Sequence, residues 1–219
     1  MQIEQKKYSR KNGWETLKPI AFNTNSCNLV LAFGSTTLLE DEVLYSQIRQ
    51  NYPNADLVIN STSGEIYDTQ VNDETISLTA ICFEKTRLKT AIVHINETPN
   101  SHEAGKQLAN ALNSGDLENV LVISAGLNVN GSDLVQGLRD NLPETVIITG
   151  GLAGDGHKFI KTLVGLNEIP IEGRIVAIGF YGDHLNIGYG SVGGWDSYGP
   201  ERLITKSDKN VLYELDGKV

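Results

Sequence analysis

Glycine and carboxylate residues follow two strand-like apolar runs in this chain. The segment 149–156, TGGLAGDG, carries four glycines and Asp155 directly after the apolar run 146–148. The segment 61–65, STSGE, places Glu65 after Gly64 behind another apolar run. Glycine lets a backbone approach a ligand or another segment closely, and a carboxylate at such a turn can pair with a cationic group. Both turns are therefore candidate ligand-binding segments.

The candidate binding residues supply hydroxyls, amides, carboxylates and one aromatic ring. We predict ligand contacts from Thr62, Ser63, Gly64, Glu65, Asn128, Gly150, Gly151, Gly154, Asp155 and Trp195. Free amides and hydroxyls suit an anionic group, and the two carboxylates suit an ammonium, so the predicted ligand is a small polar molecule such as an amino acid. Two alternatives remain open at this stage, because Asp155 can bond its own turn and Glu65 can be a solvated turn residue.

Catalysis and cofactor binding are the competing hypotheses for the same segment. A hydrolase would use Ser63 or Thr62 as nucleophile with His157 and Asp155, and only His157 of the four histidines lies beside the glycine turn. The glycine spacing matches no nucleotide-binding motif, and Cys27 and Cys82 have no metal-binding spacing. We therefore predict a binding module that is not an enzyme and has no cofactor.

The charge and composition of the chain limit the classes of partner that it can bind. The 219 residues include 18 Lys and Arg against 27 Asp and Glu, a formal net charge of −9. Such a balance argues against binding to nucleic acid or to an anionic membrane surface. No apolar run approaches the length of a membrane span, and both cysteines fall in apolar runs, so we expect a cytoplasmic protein with two unpaired thiols.

A strand, helix and strand pattern occurs twice along the chain. Strands at 29–33 and 56–59 flank one helix, and strands at 120–124 and 146–149 flank another. Further predicted strands are an antiparallel pair at 75–83 and 88–95, and others at 158–165, 174–181 and 185–192. The pattern predicts an α/β (α+β mixed) fold with mixed sheets, helices and two pseudo-repeated halves.

Several short segments resemble one protein family. GLNVNG at 126–131, GGLAGD at 150–155, NVLYELDGK at 210–218 and the STSGE turn occur in the order and wording of the N-terminal half of the FIST family of bacterial sensory domains. The resemblance implies a signal-input module that works with a signalling output domain or a histidine kinase. It also implies small ligands such as amino acids, and some relatives look like haem-binding nitric oxide sensors, which makes haem an alternative ligand.

The resemblance sets the expected domain organisation. Residues 1–26 are predicted to be a lead-in, and 27–194 a FIST N-terminal-like sensory domain with pseudo-repeats at about 27–97 and 118–194. The polar segment 195–219 is predicted to be a junction toward a C-terminal half that this chain lacks.

Overall fold

The chain divides into two compact units. A computed structural model describes residues 1–18, 23–190, 193, 196–208 and 211–219. The first unit is Met1–Ile187 and the second is Gly188–Val219. The larger unit contains all the helices and the two main sheets of the described residues.

Helices and strands alternate irregularly along the chain. The helices are α1 (Thr36–Leu39), α2 (Glu42–Asn51), α3 (Ser101–Leu112) and α4 (Gly131–Arg139). The strands are β1 (Gln2–Ser9), β2 (Gly13–Lys18), β3 (Leu29–Gly34), β4 (Asp56–Ser61), β5 (Glu65–Tyr67), β6 (Gln70–Asn72), β7 (Thr75–Cys82), β8 (Arg87–His94), β9 (Leu117–Ser124), β10 (Ile147–Leu152), β11 (Val164–Leu166), β12 (Arg174–Tyr181), β13 (Ile204–Asp208) and β14 (Val211–Leu215).

The two mixed sheets have the same order and direction of strands over four strands each. The six-stranded sheet has the order β11-β4-β3-β7-β1-β2, and the four-stranded sheet has the order β10-β9-β12-β8. β3 pairs in parallel with β4 and antiparallel with β7, just as β9 pairs in parallel with β10 and antiparallel with β12. β1 and β8 then occupy matching positions. The predicted mixed α/β class is confirmed.

The two sheets pack face to face, and helices cover their outer faces. Alternate residues of β3 belong to different clusters, because Val30 packs with α1 and α2 whereas Leu29 packs with residues of the second sheet. In β9, Val122 packs with α3 and α4, and Ile123 faces the first sheet. This two-residue alternation produces four layers, helices, sheet, sheet and helices.

Several predicted strands differ from the structure. The predicted pairing of 75–83 with 88–95 is wrong, because β7 pairs with β1 and β3 while β8 pairs with β12 in the other sheet. The predicted strand at 158–165 is a loop that ends in the short strand β11. Residues 185–190 form no strand, and 191–192 lie outside the described residues.

The N-terminal residues belong to the first unit. β1 and β2 form an antiparallel hairpin, and β1 also pairs with β7 over eight residue pairs. The segment predicted as a lead-in thus supplies two strands of the larger sheet. Tyr52, the residue that follows α2, donates a hydrogen bond to the buried carboxylate of Glu4, which connects β1 to the helical layer.

The described residues of the second unit form a single hairpin. β13 and β14 pair antiparallel, with irregular register, and most of their side chains are exposed. Asp216 accepts a hydrogen bond from the backbone N–H of Leu203 at 2.8 Å and pairs with Arg202 at 2.6 Å. No helix among the described residues is long and apolar enough to cross a membrane.

Helices α3 and α4 cross at two glycines. A Cβ atom at Gly105 would lie 2.3 Å from the carbonyl oxygen of Leu134, and one at Gly137 would lie 2.0 Å from that of His102. Both distances are far below van der Waals contact. The missing side chains therefore let the two helix backbones touch while both helices cover the second sheet.

Alanine at the helix crossing is expected to destabilise the protein. In an exposed helix, Gly→Ala stabilises by roughly 1 kcal/mol, but forced overpacking costs about 1 to 3 kcal/mol. We expect Gly137→Ala to lower the free energy of unfolding in urea denaturation. Gly115→Ala is the control, since nothing lies within 4 Å of its Cβ position. A Gly137→Ala protein as stable as the wild type would contradict the close crossing.

Candidate functional site

The loop that follows β10 connects the two sheets. After β10 the chain crosses to the first sheet, where the backbone N–H of Gly154 donates to the carbonyl of Ser61 at 3.0 Å. Ser61 also exchanges backbone and hydroxyl hydrogen bonds with Leu163, at 2.9 Å in both cases. The predicted turns at 61–65 and 150–155 therefore meet directly.

Gly154 makes this contact possible. A Cβ atom there would lie 2.3 Å from the hydroxyl oxygen of Ser63 and 2.8 Å from its backbone nitrogen. The preceding residue is packed just as closely, because a Cβ atom at Gly126 would lie 2.2 Å from the carbonyl oxygen of Ala153. These glycines serve contact between protein segments.

Asp155 holds the loop closed. One carboxylate oxygen accepts a hydrogen bond from the hydroxyl of Thr36 at 3.0 Å, and the other accepts from the backbone N–H groups of Ile160 and Lys161 at 3.2 and 3.1 Å. The side chain is buried. Burial opposes ionisation, but the three donors and the nearby Lys158 outweigh it, so the pKa of Asp155 lies below its usual value.

Glu65 has a similar structural role in the other turn. It is 2% exposed and accepts hydrogen bonds from the hydroxyl of Thr62 at 2.8 Å and from the backbone N–H and hydroxyl of Thr75 at 3.0 and 2.8 Å. Burial raises the pKa of Glu65, and the threonine donors reduce that rise. The alternative of a solvated turn residue is therefore wrong for Glu65.

A cavity of about 360 Å³ opens between the two sheets next to these turns. Both sheets contribute to its wall, through the ends of β3, β4, β9 and β10. Its lining residues are Phe33, Asn60, Thr62, Leu121, Ile123, Gly150, Gly151 and Leu152. None of these residues is charged. The lining is thus mostly apolar, and its two polar side chains are those of Asn60 and Thr62.

The two polar lining residues of the cavity have unused hydrogen-bonding capacity. Asn60 is buried, and among the described residues its side chain makes one hydrogen bond, from Nδ2 to the carbonyl of Ser61 at 3.2 Å. The hydroxyl oxygen of Thr62 keeps lone pairs free after donating to Glu65. β10 is the edge strand of its sheet, so alternate backbone N–H and C=O groups face away from β9.

Two glycines of β10 have different reasons to be glycine. Gly150 has φ of 151°, and a Cβ atom there would lie 1.9 Å from the carbonyl oxygen of Val122. Gly151 has nothing within 4 Å of its Cβ position. Packing therefore requires the first glycine, whereas the second leaves open space at the cavity wall.

The structure brings together only some of the predicted site residues. Thr62, Gly150 and Gly151 line the cavity, whereas Ser63, Glu65, Gly154 and Asp155 form the contact between the two turns. Gly64 packs against Val71 with φ of 136°, and Asn128 is exposed away from the cavity lining. Trp195 lies outside the described residues.

The sequence prediction missed five lining residues: Phe33, Asn60, Leu121, Ile123 and Leu152. Asn60 carried a usable signal, because it is a polar residue inside the otherwise apolar run of β4. The four apolar residues carried no such signal, because an apolar strand residue that lines a cavity has the same sequence pattern as one in the core.

The histidines and cysteines lie elsewhere. His94 accepts a hydrogen bond from the N–H of Asn96, and His102 pairs with Asp140 at 2.9 Å. His157 and His184 are exposed, and none of the four histidines is among the lining residues of the larger cavity. Cys27 and Cys82 are free and buried. No group of three or more potential metal-ligating side chains occurs within the described part of the chain.

Comparison with known proteins identifies the family. The family model for the FIST N domain matches residues 28–218. The match covers nearly the whole chain, so the chain belongs to this family, and the resemblance of the short motifs is confirmed. The FIST domain is a sensory domain of signal transduction. None of the curated proteins compared with the chain matches it.

Removing the carboxylate of Asp155 is expected to destabilise the protein in a pH-dependent way. Asp155→Ala leaves two backbone donors and one hydroxyl without an acceptor, at a cost of roughly 1 to 3 kcal/mol. Because the folded pKa is lowered, the contribution of Asp155 is complete above the unfolded value of about 4 and is lost as the pH falls through the folded pKa. The stability gap in urea should be wide at pH 7 and narrow near pH 3. Exposed Asp183→Ala is the control, and an equal gap at both pH values would argue against this role.

Glu65 is expected to show the opposite pH dependence. Its folded pKa is raised, so its contribution is complete below the unfolded value of about 4 and decreases as the pH rises through the folded pKa. Glu65→Gln keeps an oxygen for the Thr75 donors, and the hydroxyl of Thr62 can turn to accept. We expect the variant to gain thermal stability relative to the wild type between pH 4 and pH 7. Glu144→Gln, at an exposed position, should show no such trend.

Proposed function

We propose that the cavity between the two sheets is the ligand site of this sensory domain and that it binds a small, net-neutral polar molecule, with an amino acid as the preferred class. The observation that carries the proposal is the lining of the cavity, which comes from both sheets and contains no charged side chain. A volume of about 360 Å³ falls within the range typical of small-molecule sites.

The cavity chemistry favours an amino acid with an apolar side chain. Such a side chain would lie against Phe33, Leu121 and Ile123. The ammonium would meet the acceptor oxygens of Asn60 and Thr62, and the carboxylate would meet backbone N–H groups on the open edge of β10. A zwitterion has no net charge, which matches a lining without ionised groups. This assignment differs from pairing an ammonium with Glu65 and Asp155, whose oxygens already accept internal hydrogen bonds.

Several contacts support binding and not catalysis. The hydroxyl of Thr62 donates to Glu65, and the hydroxyl of Ser63 is 3.4 Å from the carbonyl of Gly156. Asp155 bonds Thr36 and backbone N–H groups, so it does not orient His157. A hydrolase needs a nucleophile hydrogen-bonded to a base that is itself hydrogen-bonded to an orienting acid. Thr62, Ser63 and Asp155 make their hydrogen bonds to other partners. The proposal therefore assigns the domain no reaction.

We further propose that ligand binding acts on a signalling output domain or a histidine kinase partner. Gly150 and Gly151 line the cavity, and the loop that follows β10 contains Asp155 and contacts the 61–65 turn. A ligand against β10 would favour the arrangement in which this loop is ordered. Differential affinity for that arrangement is what a sensor needs in order to shift an equilibrium.

Filling the open space at Gly151 is expected to abolish binding. Gly151→Leu puts a side chain at a cavity wall where nothing lies within 4 Å, so the fold should tolerate it. Isothermal titration calorimetry with leucine, valine, phenylalanine, aspartate and lysine is the measurement. The wild type should bind an apolar amino acid, and Gly151→Leu should bind it at least tenfold more weakly, a loss of about 1.4 kcal/mol.

Gly115→Leu is the matched control, because its Cβ position is equally open and it does not line the cavity. It should bind as the wild type does. Native mass spectrometry of protein purified from cells would also reveal a retained amino acid, a haem or neither. The proposal fails if Gly151→Leu binds the same ligand unchanged, or if a charged amino acid binds more tightly than the apolar ones.

A further inference from the structure

A second, smaller cavity contains a buried side chain without a hydrogen-bond partner. The cavity has a volume of about 110 Å³ and lies where β9 and β10 begin and β12 ends. Its lining residues are Glu118, Asn119, Ile147, Phe180, Gly182, Leu185, Asn186 and Ile187. It shares no lining residue with the larger cavity.

Asn119 is the unusual member of this set. Its side chain is 2% exposed, and within the described residues neither Oδ1 nor Nδ2 has a hydrogen-bond partner. Folded proteins satisfy nearly all buried polar groups, since a buried amide without a partner has lost its hydration and gained nothing. A carboxamide that is buried and also lines a cavity is therefore a candidate contact for a molecule bound in that cavity.

We propose that this cavity binds a small neutral molecule through a primary amide group that pairs with Asn119. The carboxamide of Asn119 presents an acceptor and a donor side by side. The complementary partner carries a donor and an acceptor in the same arrangement, as a primary amide does. A carboxylate offers only acceptors, and an ammonium offers only donors, so each would leave one atom of Asn119 unsatisfied.

The other lining residues agree with this choice of ligand. Ile147, Phe180 and Leu185 form apolar walls suited to a short alkyl chain and to the faces of a planar amide. Glu118 is exposed and adds a negative charge that disfavours a carboxylate. A volume of 110 Å³ equals roughly four water molecules at about 30 Å³ each, so only a few heavy atoms fit.

Propionamide and propionate are suitable probes because they have similar shapes and differ in charge and donors. The measurement is the ¹⁵N resonance of the Asn119 side-chain amide, assigned by its disappearance in Asn119→Leu. Propionamide should shift this resonance saturably in the millimolar range, and propionate should not. Asn119→Leu should remain at least as stable as the wild type, because it replaces an unsatisfied polar group by an apolar one of similar size.

Glu118→Gln sharpens the test of selectivity. Removing the negative charge should strengthen propionate binding relative to propionamide by severalfold, while Asn119 remains the contact. Gly151→Leu should leave the propionamide titration unchanged, so this site and the larger cavity can fail separately. The proposal is overturned if the Asn119 resonance does not respond to propionamide, or if a high-resolution structure in propionamide shows only water bonded to Asn119.

Discussion

The contact between the loop after β10 and the turn after β4 determines the arrangement of the two sheets. Gly154 approaches Ser61 and Ser63 so closely that no side chain fits between the segments. This contact fixes the end of β10 against the first sheet. Because β10 is also an edge strand, the space beside the contact stays open as the larger cavity. The close backbone contact at Gly154 thus lies directly beside the larger cavity.

The two carboxylates illustrate how position in the fold decides the role of a residue. Asp155 and Glu65 both follow glycine in the turns where strands end, which is where α/β folds often bind ligands. Both instead accept hydrogen bonds from protein donors, and their pKa values shift in opposite directions. Asp155 has two backbone N–H donors that stabilise its charge, whereas burial dominates for Glu65. Neither is therefore free to pair with a ligand.

The sequence predicted the layout of strands and helices better than their pairing. Apolar runs and the repeated strand, helix and strand pattern were sufficient to locate β3, β4, β9, β10 and the mixed α/β class. Pairing depends on contacts distant in sequence, so two adjacent strands such as β7 and β8 looked like a hairpin although they lie in different sheets. The glycine content of the turns was visible in the sequence, but sequence cannot distinguish a glycine that packs, such as Gly154, from one beside open space, such as Gly151.

The position of β11 has a consequence for synthesis and folding. The chain leaves the second sheet after β10, adds β11 to the edge of the first sheet beside β4, and returns to the second sheet as β12. During translation, the edge of β4 therefore has no strand partner until about a hundred further residues have left the ribosome. Pairing across such sequence separations raises the contact order and slows folding. The two halves are interlocked, so expressing them as separate polypeptides would give fragments that complete their sheets only on reassociation.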